Sequence, residues 1–146
     1  KENEMYLDNF FNIIDKDLVT ISEDHVNAKR GDADFLTCDI YLRKAIPNDT
    51  TGLYILQQKD ADFCQLLRDR EITIIPVPSA DIAKMANNYL TIGPRHICAM
   101  RGMSRELAEA IQNHKVTIEW IDAENLMKGF GAAHGMTQVI KRSWED

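Results

Sequence analysis

The order of its sequence patterns predicts an α/β domain made of two strand-strand-helix-strand units. Three observations carry that prediction. Two pairs of short β-prone runs, Phe10–Ile14 with Leu18–Ile21 and Tyr89–Ile92 with His96–Met100, each open a unit. Each pair is followed by apolar residues at helical spacing. A β-rich run closes each unit, Ile72–Val77 in the first and Val116–Ile121 in the second. The units cover about residues 10–77 and 89–142 and share a plan rather than a sequence, and helices over a mixed sheet are the expected layering.

Phe10–Ile14 and Leu18–Ile21 flank Asp15-Lys16-Asp17 and read as a hairpin. Ser22–Asp34 is polar and reads as a loop. Phe35–Ala45 holds a strand, Pro47-Asn48-Asp49 makes a turn, and Leu53–Gln57 is a strand or an extended approach to a helix. Asp60–Arg70 reads as a helix, with Phe63, Leu66 and Leu67 on one face and Asp60 or Asp62 as its cap. Ile72–Val77 is apolar enough to predict a strand buried on both faces. Ser79–Met85 reads as a short helix capped by Ser79. In the second unit Gly93-Pro94-Arg95 is a turn, and Ser104 caps a helix to about Asn113 with Leu107, Ala110 and Ile111 inward. Asp122–Lys128 has the pattern of a helical turn.

The chain of 146 residues has the size of one domain, and 45% hydrophobic residues suffice for a core. A net charge of -6, with basic runs no longer than pairs such as Lys29-Arg30 and Arg43-Lys44, argues against nucleic acid as a partner. No apolar run has the length of a membrane span, and no signal peptide is visible. Cys38, Cys64 and Cys98 are odd in number and widely spaced. They form neither a disulfide framework nor a zinc pattern, and reduced thiols in the cytoplasm are the expectation. His25, His96, His114 and His134 lack metal-ligand spacing. No metal and no cofactor is expected. Trp120 and Trp144 read as core and tail anchors.

The most distinctive stretch is Phe130-Gly131-Ala132-Ala133-His134-Gly135-Met136-Thr137-Gln138. Its small residues allow a tight turn and the close approach of another group. Gly129, Gly131 and Gly135 resemble a nucleotide-binding glycine loop only in composition. That loop needs a helix after it, and Val139-Ile140-Lys141-Arg142 reads as a strand.

Residues 131–138 instead resemble the C-terminal signature of the penteins, the superfamily of arginine deiminases and amidinotransferases. Two further stretches are similar to that superfamily's segments and occur in its order. One is Met5-Tyr6-Leu7-Asp8 with the strand after it; the other is Asn87-Asn88-Tyr89-Leu90-Thr91-Ile92-Gly93-Pro94. The resemblance implies blades of a partial α/β propeller, of which this chain holds about two.

In active penteins a Cys attacks the guanidinium carbon, a His moves protons, and carboxylates hold the guanidinium through paired hydrogen bonds. The resemblance sets Gly135 at the Cys position and Tyr6 at the His position, and it retains one carboxylate as Asp8. Glycine has no nucleophile. Tyrosine, with an ordinary pKa of about 10, is a poor base near neutrality. Loss of a nucleophile costs on the order of a millionfold, roughly 8 kcal/mol of barrier. Phe130 stands where arginine-specific members tend to carry Arg for the substrate carboxylate.

The catalytic positions at Tyr6 and Gly135 are therefore degenerate. Asp8 and His134 are the candidate ligand-binding residues, and Asp8 should face the cleft of Tyr6 and the 131–135 loop. His134 and the strand pair His96 and Cys98 are weaker candidates for chemistry. The reading that follows is a catalytically silent pentein-like domain acting in binding or assembly. A first alternative is the C-terminal part of a guanidino-group hydrolase that needs further blades. A second is a sensor of a small cationic ligand. Expected partners are a second copy, through apolar residues near Phe10–Ile14 or Val116–Ile121, or a chain supplying further blades. A guanidino or cationic small molecule is the expected ligand.

Overall fold

The computed structural model describes residues 7–46, 49–122 and 132–137, with the backbone alone for residues 45, 46 and 49–52. The fold is mixed α/β, with three small sheets and few helices.

The first sheet joins β1 (Phe11–Asp15), β2 (Leu18–Ser22) and β5 (Thr73–Val77) in the order β1-β2-β5. β1 and β2 form the expected antiparallel hairpin, and β5 joins β2 in parallel, with Leu18 opposite Thr73 and Ser22 opposite Val77. The crossover between β2 and β5 contains α1 (Glu23–Asn27), β3 (Thr37–Ile46), β4 (Asp49–Asp62) and α2 (Phe63–Asp69). Among the described residues β3 and β4 pair only with each other, as a separate two-stranded ribbon.

After α3 (Ser79–Ile82), a third sheet repeats the first plan. β6 (Leu90–Gly93) runs antiparallel to β7 (His96–Met100), and β8 (Thr117–Ile121) returns parallel to β7 after α4 (Arg105–Gln112). Among the described residues there are thus three sheets, rather than the one mixed sheet under helices that the sequence predicts.

Both predicted helix faces appear. Asp62 caps α2 by accepting from Gln65 N at 2.9 Å, and Ser104 caps α4 by accepting from Leu107 N at 3.2 Å. Leu107 and Ile111 are buried. Their neighbours in the main core are Ile14 and Leu18 from β1 and β2, Ile75 and Val77 from β5, and Ile97, Ala99 and Ile118 from the third sheet. One core therefore joins the two three-stranded sheets. Val19 and Ile21 point the other way and meet Cys64 and Leu67 of α2. β2 is covered on both faces and is wholly buried.

Four expectations are corrected. Ser22–Asp34 is not all loop, because its start forms α1, which buries His25 against the ring of Phe10 with centroids 4.8 Å apart. β5 is not buried on both faces: Thr73 and Pro76 are exposed. Its place at a sheet edge explains this, and the edge tolerates a Pro that has no N–H to pair. Ser79 does not cap α3; Pro78 holds that position, and Ser79 donates its N–H and hydroxyl to Glu23. Trp120 is no core anchor, being 39% exposed. Trp144 and most of the expected turn at Asp122–Lys128 lie outside the described residues.

Polar ties hold the two three-stranded sheets side by side. Arg95, in the turn between β6 and β7, donates to both carboxylate oxygens of Asp17 at 2.7 and 2.6 Å and reaches Asp15 at 3.2 Å. Thr91 donates its hydroxyl to the carbonyl of Ile13. Of the segments expected at an interface, Ile14, Val116 and Ile118 are buried within the chain, and Ile13 is exposed.

Candidate functional site: a cleft beside Asp8 and His134

The site grows from the segment Asn87-Asn88-Tyr89, which enters β6. Asn12 of β1 donates through Nδ2 to the carbonyls of Asn87 at 2.8 Å and Tyr89 at 2.9 Å. Asn87 Oδ1 accepts from the Thr20 hydroxyl at 2.6 Å. Thr20 spends its one proton there, so the Tyr89 hydroxyl, also 2.6 Å away, donates to Thr20. Tyr89 is 1% exposed, and burial pushes its hydroxyl well above the ordinary value, with the Thr20 contact opposing in part.

Asn88 connects this hub to both ends of the chain. Its Nδ2 donates to Asp8 Oδ2 at 2.6 Å. Its Oδ1 accepts from the backbone N–H groups of His134 at 3.1 Å and Gly135 at 3.2 Å. The loop that carries them is seated by Ala132 and Ala133, which are buried against Met100 with Met85, Leu90 and Ile121 around them. The small side chains let the loop lie close to the sheet. His134 Nδ1 then sits 2.8 Å from Asp8 Oδ2.

A cleft of about 680 Å³ opens over this pair. Leu7, Phe11, Ile13 and Leu90 supply apolar walls. Asp8, Asn12, Thr91, His134 and Gly135 supply the rest of the lining. The Asn88 and His134 contacts of the Asp8 carboxylate both fall on Oδ2, and Asp8 lines the cleft. A carboxylate beside apolar walls suits a ligand with a cationic head and an apolar body.

Asp8 and His134, proposed separately from sequence, meet at this cleft, with Gly135 beside them. Tyr6 and Gly131 lie outside the described residues. His96 and Cys98 do not join the cleft lining. His96 Nε2 contacts Glu119 at 3.2 Å, and burial, with Glu119 adding to it, pushes the Cys98 thiol up, away from the thiolate a nucleophile needs. Among the described residues no group of three His, Cys, Asp or Glu side chains could hold a metal ion. No helix among them is long and apolar enough to cross a membrane.

A family model described as arginine deiminase matches residues 1–142. The chain belongs to the arginine deiminase family. An arginine deiminase of Halobacterium salinarum is 31% identical over 161 aligned positions, covering 97% of this chain and 31% of the relative. The chain thus spans about a third of the length of that arginine deiminase.

Sequence reasoning missed Asn88, Asn12 and Thr20 as the residues that hold the site. The one available signal was the paired amides Asn87-Asn88 inside a stretch already similar to the superfamily. Nothing local in the sequence ties Asn12 or Thr20 to that stretch, because their partners are 67 to 77 residues away.

Proposed function

We propose that this arginine deiminase-related domain is catalytically silent and acts by binding or assembly, with the Asp8 cleft receiving a guanidinium or amine. The observation that carries the reading is the company of Gly135. It lies beside the Asp8–His134 pair, where the family resemblance places the nucleophilic Cys, and it offers no atom for attack. Cys98, which does not line the cleft and whose thiol is pushed up by burial, is no substitute. The apolar walls and Asp8 support recognition of a cation without hydrolysis. Phe130, where arginine-specific members tend to carry Arg, favours ligands without an amino-acid carboxylate, such as agmatine or an alkylguanidine.

In this reading the two three-stranded units are blades of a partial α/β propeller, as family membership suggests. Three free thiols support a reducing, cytoplasmic setting.

The chain's span of 31% of its relative favours a second reading, a part of a guanidino-group hydrolase whose remaining blades supply the missing groups. An assay of ammonia and ureido products from arginine, agmatine and alkylguanidines separates the two when it is run on the chain alone and on the chain mixed with a pentein fragment that supplies the remaining blades. The first reading predicts no turnover above buffer in either condition. Sustained turnover that Asp8→Asn abolishes would overturn it in favour of the second.

A further inference from the structure

One imidazole stands beside the carboxylate of the cleft. Of the nine described residues that line the cleft, Asp8 and His134 are the two whose side chains titrate. The elements packed around the pair bring apolar or fully engaged groups to it. β1 presents Phe11, Asn12 and Ile13, and its last residue, Asp15, turns to Arg95 at 3.2 Å. β6 presents Leu90 and Thr91, whose hydroxyl is spent on the Ile13 carbonyl. The segment before β6 brings the Asn88 amide, engaged at both ends, and the Tyr89 hydroxyl, buried against Thr20. The loop of His134 rests on Met100, Met85 and Ile121 through its two alanines.

His134 Nδ1 is 2.8 Å from Asp8 Oδ2. A carboxylate oxygen accepts, so Nδ1 carries the proton of this contact, and the proton that changes the imidazole's charge comes and goes at Nε2. The two forms of His134 leave the cleft with different charge. Beside a neutral imidazole the carboxylate keeps its attraction for a cation. Beside an imidazolium it is already paired at hydrogen-bond distance, and an incoming guanidinium or amine meets a like charge there. The His134 side chain is 49% exposed, so its protons exchange with water directly.

We propose that His134 gates the cleft by protonation: as an imidazolium it occupies Asp8 as an internal cation, and a guanidinium or amine binds when His134 is neutral. The inference rests on the cation-binding reading of the cleft and adds its regulation. Proton and ligand oppose each other reciprocally, so each weakens the other by the same factor. Ligand affinity therefore rises with pH across the range in which imidazoles titrate, about pH 5 to 8, and levels off above it. The cleft loads on the alkaline side and discharges on acidification.

Titration calorimetry of the full chain with butylguanidinium, at steps from about pH 5.5 to pH 8.5, tests the gate. The guanidinium keeps its charge throughout, so pH acts on the protein alone. Wild-type affinity is expected to rise at least about fivefold over that range and to flatten at its alkaline end. In His134→Gln the affinity should vary less than about twofold over the same range, because the titrating group is gone. The wild type also carries a direct readout that needs no variant. The ring resonance of His134, followed by NMR against pH, should move its titration midpoint to lower pH when butylguanidinium saturates the chain. Binding of equal strength at every pH would overturn the gate and leave the cation site standing. A His134 midpoint that the ligand does not move, or a His134→Gln variant with the wild-type slope, would overturn the gate as well. No binding at any pH would overturn the cation reading and the gate together.

Discussion

Asp8 Oδ2 lies 2.8 Å from His134 Nδ1, although 126 positions separate the two residues in the chain. The contact joins the start of the first unit to the loop after the second, and Asn88 braces it from the middle of the sequence. His134 is about half exposed and Asp8 is largely enclosed, so the carboxylate is oriented by its neighbours while one side stays open to the cleft.

Asp8 should carry most of the polar contribution to binding of an agmatine-like cation. A hydrogen bond to a charged group contributes about 1.5–3 kcal/mol, so Asp8→Asn should weaken binding roughly 10- to 100-fold. Titration calorimetry with agmatine, wild type against variant, makes the comparison. Equal affinities would move the cation away from Asp8.

Asn88→Ala should destabilise the fold more than its small volume suggests. The variant removes the amide donor to the Asp8 carboxylate and the side-chain acceptor of the Gly135 N–H, and leaves the His134 N–H only its 3.3 Å contact with the Asn88 carbonyl. The expected cost is about 2–3 kcal/mol. Thermal unfolding should fall by roughly 5–10 °C for a domain of this size. An unchanged midpoint would show that water replaces the amide without loss.

Tyr89 gives the fold an alkaline limit. Its buried hydroxyl keeps its proton to a pH well above the ordinary tyrosine value, and the unfolded chain releases that proton at about pH 10. The raised folded value therefore stabilises fully below about pH 10, and the stabilisation is lost as pH rises above it, because the unfolded state gains by ionising. Urea midpoints at pH 8 and pH 10.5 should diverge in the wild type, and the divergence should shrink in Tyr89→Phe. An equal pH response in both would assign the alkaline loss to other groups.

The cysteines should react slowly. Burial pushes the thiols of Cys38, Cys64 and Cys98 up, so little thiolate forms near neutrality. Iodoacetamide at pH 7.5 should label none of them faster than a free cysteine in solution. Gly135→Cys, at an exposed position of the cleft rim, should add a site that reacts faster than all three. Rapid labelling of native Cys98 would reopen that residue as a nucleophile.

Much of this molecule was legible where local pattern and tertiary role agree. Ser104 with Leu107 and Ile111, and Asp62 with Leu67, carry cap and apolar face in one short stretch, and α4 and α2 follow them. α1 was not legible, since it has one short turn and no apolar repeat, and packing of His25 on Phe10 decides it. β5 misled because Ile72–Val77 has a core composition, whereas its place at the sheet edge is a property of topology. The full ribbon was hidden for the opposite reason: with apolar residues on both faces, Leu53–Gln57 lacks the alternation that marks a half-buried strand. At the site, Asp8 and His134 were found through resemblance alone, and the asparagine that joins them depends on contacts 46 and 80 residues apart.

The most direct test follows agmatine labelled with 13C at the guanidino carbon, mixed with the wild-type protein and observed by NMR over hours. A binding domain without a nucleophile should shift or broaden the guanidino resonance, lose that effect in Asp8→Asn, and produce no ureido carbon signal. A growing ureido signal with the protein alone would contradict the central claim and identify an active hydrolase.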